Sequence, residues 1–235
     1  IGFLTWDDFC TNKWNLKRYR LQSKIILVTT AVLILLPAIF FFLSDFAGFS
    51  MGKRILASFF QSVTLRTAGF NTADLGAMND SSKAIMTLMM LIGGSPGSTA
   101  GGMKTTTIAV LILNAFATFG REPETEVFGR RFDNTVVKNA ATIAILYFFL
   151  FFTGGIAISQ IEHVALSDCL FETASAVGTA GLTLGITTEL GLVSHLILVV
   201  LMYLGRVGGL TLIYAAISVK IQSGAKRPLD KITVG

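Results

Sequence analysis

Charge is what this chain has least of. Only 14% of its 235 residues are Asp, Glu, Lys or Arg, against about a quarter in a soluble domain, which excludes an ordinary solvated surface. Cysteine is nearly absent. Cys10 and Cys169 are too few and too scattered for a disulfide framework or a zinc site, and they read as buried or inert thiols. His163 and His195 lie far apart, each near an expected membrane edge, and read as structural. No nucleophile, paired-carboxylate or metal-ligand arrangement stands in a catalytic setting, so the chain reads as a conduit and not an enzyme, with no bound cofactor. The start at Ile1 carries no basic n-region or cleavage site, and the chain reads as a piece of a longer protein.

What it has instead is apolar length. Hydrophobic residues make up 52%, mean hydropathy is +0.68, and the apolar residues cluster into runs near the roughly 20 residues that cross a bilayer as helix. Residues 25–43 form one run, 142–158 another, 192–219 a third containing one arginine, and 85–117 a fourth broken by glycines. These predict four membrane-spanning segments, with lipid around them. The basic residues fall between the runs. Lys13, Lys17, Arg18, Arg20 and Lys24 precede the first; Arg121, Arg130, Arg131 and Lys138 lie between the second and third; Lys220, Lys226, Arg227 and Lys231 follow the last. The opposite-side loops hold only Lys53, Arg54 and Lys83. This asymmetry predicts a multi-pass protein of the cell membrane with both termini and the central loop in the cytoplasm. Nucleic acid is the rival partner for such basic clusters, and their alternation with spans argues against it.

The most informative pattern is a repeat. Phe59-Phe60-Gln61-Ser62-Val63-Thr64-Leu65-Arg66-Thr67-Ala68-Gly69-Phe70-Asn71 returns as Phe171-Glu172-Thr173-Ala174-Ser175-Ala176-Val177-Gly178-Thr179-Ala180-Gly181-Leu182-Thr183. In both copies a long apolar run precedes the Thr-Ala-Gly and another follows it. Residues 55–65 and 168–177 read as half-helices too short to cross. The reading is a span, a re-entrant stretch, then a second span, twice over. Its expected boundaries are an N-terminal cytoplasmic segment 1–23, a first unit 24–119 with a broken second span, a loop 120–133, a second unit 134–220 and a cytoplasmic tail 221–235.

Backbone at membrane depth must bond internally or face water, so a non-helical Thr-Ala-Gly there calls for an aqueous path. Each half-helix directs the partial negative charge of its carbonyl end at the membrane centre. Gly69 and Gly181 supply backbone angles that a Cβ disfavours, and successive carbonyls can then replace an ion's hydration shell. The expected filter is Thr67, Ala68, Gly69 and Phe70 with Thr179, Ala180, Gly181 and Leu182, holding K+ at Thr67, Gly69, Thr179 and Gly181. No carboxylate stands in either triplet, which suits a monovalent ion better than Ca2+. A potassium-channel filter, Thr-Val-Gly-Tyr-Gly, has two glycines where each copy here has one, so fewer ion sites in line and looser selectivity are expected. The bland alternative is that small residues here merely let helices pack closely.

The fourth run breaks at Gly93, Gly94, Ser95, Pro96, Gly97, Ser98, Thr99, Ala100, Gly101, Gly102, Met103 and Lys104. Five glycines and a proline cannot stay helical. A phosphate-binding loop is rejected by counting: from Gly97 the lysine position holds Met103, and Lys104 comes one too late. An unwound segment in a span lines a cavity, which predicts a gating flap beneath the filter; a passive kink is the alternative. Arg206, placed in mid-span, reads as an electrostatic barrier, or alternatively as a structural ion pair or carbonyl clamp. Arg66 is expected to bind backbone oxygens or face the outer surface. Met86, Met89 and Met90 read as packing residues.

Together these motifs, with Gly205-Arg206-Val207-Gly208, resemble the Trk/Ktr/HKT superfamily of potassium transporters, and within it the bacterial TrkH and KtrB membrane subunits, over nearly the whole chain. The resemblance implies an all-α integral membrane protein of M1-P-M2 repeats around one pore. Gly69 and Gly181 would be filter glycines of the third and fourth repeats, the broken helix the family's intramembrane gating loop, and Arg206 its arginine in the last M2 helix. It implies a homodimer, one pore per protomer, and a cytosolic ring of nucleotide-binding RCK subunits, for which 121–138 and the tail are candidate contacts. Two departures stand out. Only two of four units are present, so either the first half lies outside this chain or two copies form one pore; divergence between the units favours the first. Gly209 stands where the family often has proline. The expectation is the C-terminal half of a bacterial inner-membrane K+ uptake subunit, with Na+ not excluded as an ion. Its rivals are a true potassium channel subunit and a membrane enzyme using the glycine-rich segment.

Overall fold

The computed structural model describes residues 1–13, 15–121 and 125–208; Gly209, the basic residues after it and the tail 221–235 lie outside them. The order is α1 (Phe3–Asn12), α2 (Leu21–Leu43), α3 (Met51–Thr64), α4 (Asp80–Leu91), α5 (Thr105–Phe119), a hairpin of β1 (Glu126–Val127) and β2 (Arg130–Arg131), α6 (Asn134–Glu162), α7 (Leu166–Gly178) and α8 (Leu192–Val207). At 1.5 Å per residue, α2 and α6, with 23 and 29 residues, are about 35 and 44 Å long. Both are long and apolar enough to cross a membrane. The 14-residue α3 and 13-residue α7 reach only about 20 Å.

Helices form where the apolar runs predicted them, with two corrections. The run 192–219 is not one continuous helix: α8 ends at Val207, and Gly208 takes φ 89°, a left-handed value that stops a helix. Arg206 is therefore in the last turn of α8, where a cation meets the carbonyl end of the helix dipole. Secondly, the central loop is not wholly irregular. Phe128 and Gly129, both at positive φ, make the two-residue turn that matches strand twist, and Val127 and Phe128 close an apolar cavity of about 230 Å3 between α2 and α5. Among the described residues, one small hairpin thus stands beside the helices.

Each of these short helices packs on the long helix before it, α3 on α2 and α7 on α6. Ser62 of α3 donates to the Ile34 carbonyl at 2.6 Å, one turn before Pro37, so the pair is pinned where α2 is least regular. The second half-helix is enclosed further, by α4 and α8 as well. Cys169, Phe171, Thr173, Ala174 and Val177 are fully buried, beside Met86, Met90 and Ile158. Met89 packs partly buried against the same core, as expected for the three methionines. A side chain on Gly178 would collide with the Met90 carbonyl, and one on Gly205 with the Val177 carbonyl, so these close approaches require glycine. Ile145 and Phe149 of α6 and Leu35 and Leu36 of α2 point outward, the apolar surface a hydrocarbon solvent accepts.

Candidate functional site

After α3 and α7 the chain makes the same turn twice. Thr67 and Gly69 have φ 62° and 75°, Thr179 and Gly181 51° and 83°, each pair with an alanine between. A threonine held there costs about 1–3 kcal/mol, so surrounding bonds must impose it. They do: the N–H groups turn back on the half-helix. Ala68 and Gly69 donate to the Thr64 carbonyl, both at 3.3 Å, and the Thr64 hydroxyl donates to the Phe70 carbonyl. In the second copy Thr179 N–H bonds Ala176 at 3.0 Å, Ala180 N–H bonds Ser175 at 2.9 Å, and Leu182 N–H bonds the Ser175 hydroxyl at 2.9 Å.

With the donors turned in, the acceptors are left over. Among the described residues, the carbonyls of Thr67, Ala68, Gly69, Thr179, Ala180 and Gly181 accept no hydrogen bond, and the buried Thr179 hydroxyl has no partner. The two turns also touch. A Cβ on Gly69 would fall under 3.0 Å from the Ala180 carbonyl oxygen, with Gly181 Cα at 3.6 Å. The fourth residues differ, since Phe70 is 71% exposed and Leu182 3%. Among the described residues no group of three His, Cys, Asp or Glu could hold a metal ion, and the oxygens the two turns present are backbone carbonyls and threonine hydroxyls.

Beneath the turns lies the broken stretch. Its ends are tied together, Gly93 N–H to Met103 O at 2.8 Å, Met103 N–H to Leu91 O at 3.1 Å and Thr105 N–H to Gly94 O at 3.1 Å. The residues between form a compact loop. A Cβ on Gly101 would collide with the Thr179 side chain, so the loop lies directly against the second turn. Three cations hold it: Arg66 Nη2 donates to Gly93 O at 3.0 Å, Lys104 Nζ to Ala100 O, and Arg206 Nη1 to Thr99 O. From α8, Gly205 O accepts from Gly102 N–H at 3.2 Å. A cavity of about 530 Å3 is lined by Thr67, Ala68, Thr179, the loop, Arg66 and Arg206, bringing filter, loop and arginine candidates into one space. Arg66 binds a backbone oxygen, as expected, and Arg206 has a carbonyl partner in the loop.

Residues 19–225 match the family model described as TrkH, a cation transport protein. The chain belongs to the TrkH family. It is 33% identical over 246 residues to the potassium/sodium uptake protein NtpJ of Enterococcus hirae and 32% identical over 241 residues to the Ktr system potassium uptake protein B of Bacillus subtilis. Each match covers 100% of this chain and 54% of the relative. The Ktr system potassium uptake protein B of Vibrio alginolyticus is 37% identical over 202 residues, 83% of this chain and 44% of that one. The fold is similar to the crystal structure of the potassium transporter TrkH from Vibrio parahaemolyticus, with TM-score 0.74, 21% identity, and coverage of 92% of this chain and 49% of that one. The chain thus spans about half the length of the relatives it matches.

Two features of this TrkH-family chain escape a motif reading. Glu172, 4% exposed, accepts from the Thr183 hydroxyl and Thr187 hydroxyl, both at 2.6 Å, and from Leu184 N–H at 2.9 Å. It anchors the segment leaving the second turn. The available signal was a lone carboxylate in a buried half-helix, which is costly unless satisfied. The start of α1 lies against the broken loop: Phe3 N–H bonds Gly97 O at 3.3 Å, and a Cβ on Gly2 would overlap the Pro96 carbonyl. No local pattern announces that docking.

Proposed function

We propose that this chain is the C-terminal half of the pore-forming subunit of a potassium uptake transporter. In this reading 24–119 and 134–220 are two M1-P-M2 units, here α2, α3 and the broken α4–α5, then α6, α7 and α8. A dehydrated cation passes the turns at Thr67–Phe70 and Thr179–Leu182, held by carbonyls that stand in for water. The half-helix dipoles favour it there. The names of the relatives, potassium uptake in the Ktr proteins and potassium/sodium uptake in NtpJ, support K+ as the ion, with Na+ as a second cargo. The loop 93–104 is the gate, and Arg206 both clamps it and raises the barrier below the filter. The first two units, a second protomer and a cytosolic RCK ring complete the assembly, with the termini in the cytoplasm.

The single observation carrying this reading is the pair of left-handed Thr-x-Gly turns in backbone contact, with six carbonyls between them that accept no hydrogen bond among the described residues. The test is growth of a potassium-uptake-deficient bacterium at micromolar K+ on the full-length parent chain. Gly69→Ser is expected to abolish growth that the unaltered chain supports, and Gly181→Ser to weaken it. Growth unchanged in both would refute the assignment.

A further inference from the structure

Arg66 lies between the two parts of the pore that act on the ion. It follows the fully buried Leu65 and directly precedes Thr67, whose φ of 62° opens the first turn. Its guanidinium donates to the Gly93 carbonyl at 3.0 Å. Gly93 is the first residue after the Ile92 cap of α4. Its N–H is bonded to Met103 O at 2.8 Å, and a Cβ there would overlap the Gly101 carbonyl. Arg66 therefore grips the base of the loop, where its two ends are tied. Arg206 and Lys104 grip Thr99 and Ala100, nearer the tip.

The rest of the Arg66 side chain points the same way. Its Nε is buried with no acceptor among the described residues, and no carboxylate pairs with it there. Leaving a buried donor unsatisfied is costly, so the arginine is not a charge neutralised in place. One bond fixes it, and that bond joins the turn to the loop base. In the second copy of the repeat the matching position is Gly178, which has no side chain to make such a link.

We infer that Arg66 is a positioning residue that couples the first Thr-Ala-Gly turn to the base of the broken loop. A swing of the loop about its tied ends moves Arg66 and, one residue on, the carbonyls at Thr67. By reciprocity the ion bound at the turn biases the loop. This rests on reading the turns as filter and the loop as gate. Arg206, on the tip and on the other unit, locks the loop without touching either turn's backbone.

The test uses the full-length parent in lipid vesicles, with 86Rb+ and 22Na+ uptake measured for each variant. Arg66→Gln is expected to lower the Rb+/Na+ uptake ratio at least about fivefold, the low end of a coupling between sites. Arg66→Lys, which keeps a charged donor, is expected to recover part of that loss. Arg206→Gln is expected to raise uptake of both ions with the ratio kept. A wild-type ratio in Arg66→Gln, or the same loss of ratio in Arg206→Gln, overturns the inference and leaves the pore reading standing. Unaltered protein that admits no Rb+ beyond empty vesicles overturns both. A spin label at Thr99→Cys gives a readout independent of the Arg66 variants: its spectrum is expected to differ between K+ and Na+, and identical spectra count against the coupling.

Discussion

A methyl group on Gly69 would lie under 3.0 Å from the Ala180 carbonyl oxygen, whereas one on Gly181 would meet only Gly69 Cα, at 3.8 Å. The two glycines hold equal places in the repeat and similar left-handed angles, yet only one is also fenced by backbone. Gly69→Ala therefore adds a steric collision to the conformational strain, while Gly181→Ala adds the strain alone, about 1–2 kcal/mol. Rb+ uptake in vesicles is expected to vanish in Gly69→Ala. In Gly181→Ala it should persist with Rb+/Na+ selectivity reduced about tenfold, since 1.4 kcal/mol is a factor of ten. Equal loss in both variants would show that contact between the turns does not matter.

Arg206 reaches the loop through one carbonyl, that of Thr99. Arg206→Ala removes both that bond and a cation from the cavity wall. The basal rate of Rb+ entry should rise about tenfold or more, as expected when a charge-assisted bond of about 1.5–3 kcal/mol is lost. An unchanged rate would mean that the contact is incidental to the closed loop.

Glu172 offers a test that leaves the turn's own residues untouched. Gln in its place keeps the size but replaces one acceptor oxygen by a donor, so one of the groups at Thr183, Leu184 and Thr187 loses its acceptor. A cost of about 1.5–3 kcal/mol is expected, read as a lower thermal midpoint and a raised half-saturating Rb+ concentration. Ala should cost more than Gln, because it leaves all three donors without their acceptor.

Asp45 gives the pH dependence. Burial alone would raise its carboxyl, but donation from the hydroxyls of Ser44 and Ser82 and from Asn79 N–H outweighs it and leaves the group below its ordinary value of 3.8. These bonds join the chain after α2 to the start of α4. A carboxyl lowered on folding contributes stability above that ordinary value and loses it as pH falls through the folded one. The thermal midpoint should therefore drop as pH is taken below about 4, and Asp45→Asn should flatten part of that drop. Identical pH profiles for the two proteins would remove Asp45 from the account.

How legible this was in the sequence varies with the range of the cause. α2 and α6 follow from apolar runs, and the break at 93–104 from its glycines and Pro96, because those causes are local. The repeat marked both turns, since Thr-Ala-Gly returned in matched context. That the turns touch, and that Thr67 and Thr179 are left-handed, required packing which no single segment encodes. The end of α8 was missed because Gly208 sits in a run whose hydropathy continues past it. The hairpin was missed because two-residue strands carry no usable alternation. Glu172 and the docking of Phe3 on Gly97 depend on partners 11 or more positions away, beyond any motif.

Gly205 closes against the Val177 carbonyl and takes the Gly102 N–H on its own carbonyl, with Arg206 beside it on Thr99. All three contacts come from α8, the last of the described helices to leave the ribosome. During synthesis, then, the α8 side of the broken loop is fitted after the helices that surround it. A nascent chain halted before Leu192 would lack both α8 contacts on its loop and keep only those of Arg66, Lys104 and the loop's own tied ends.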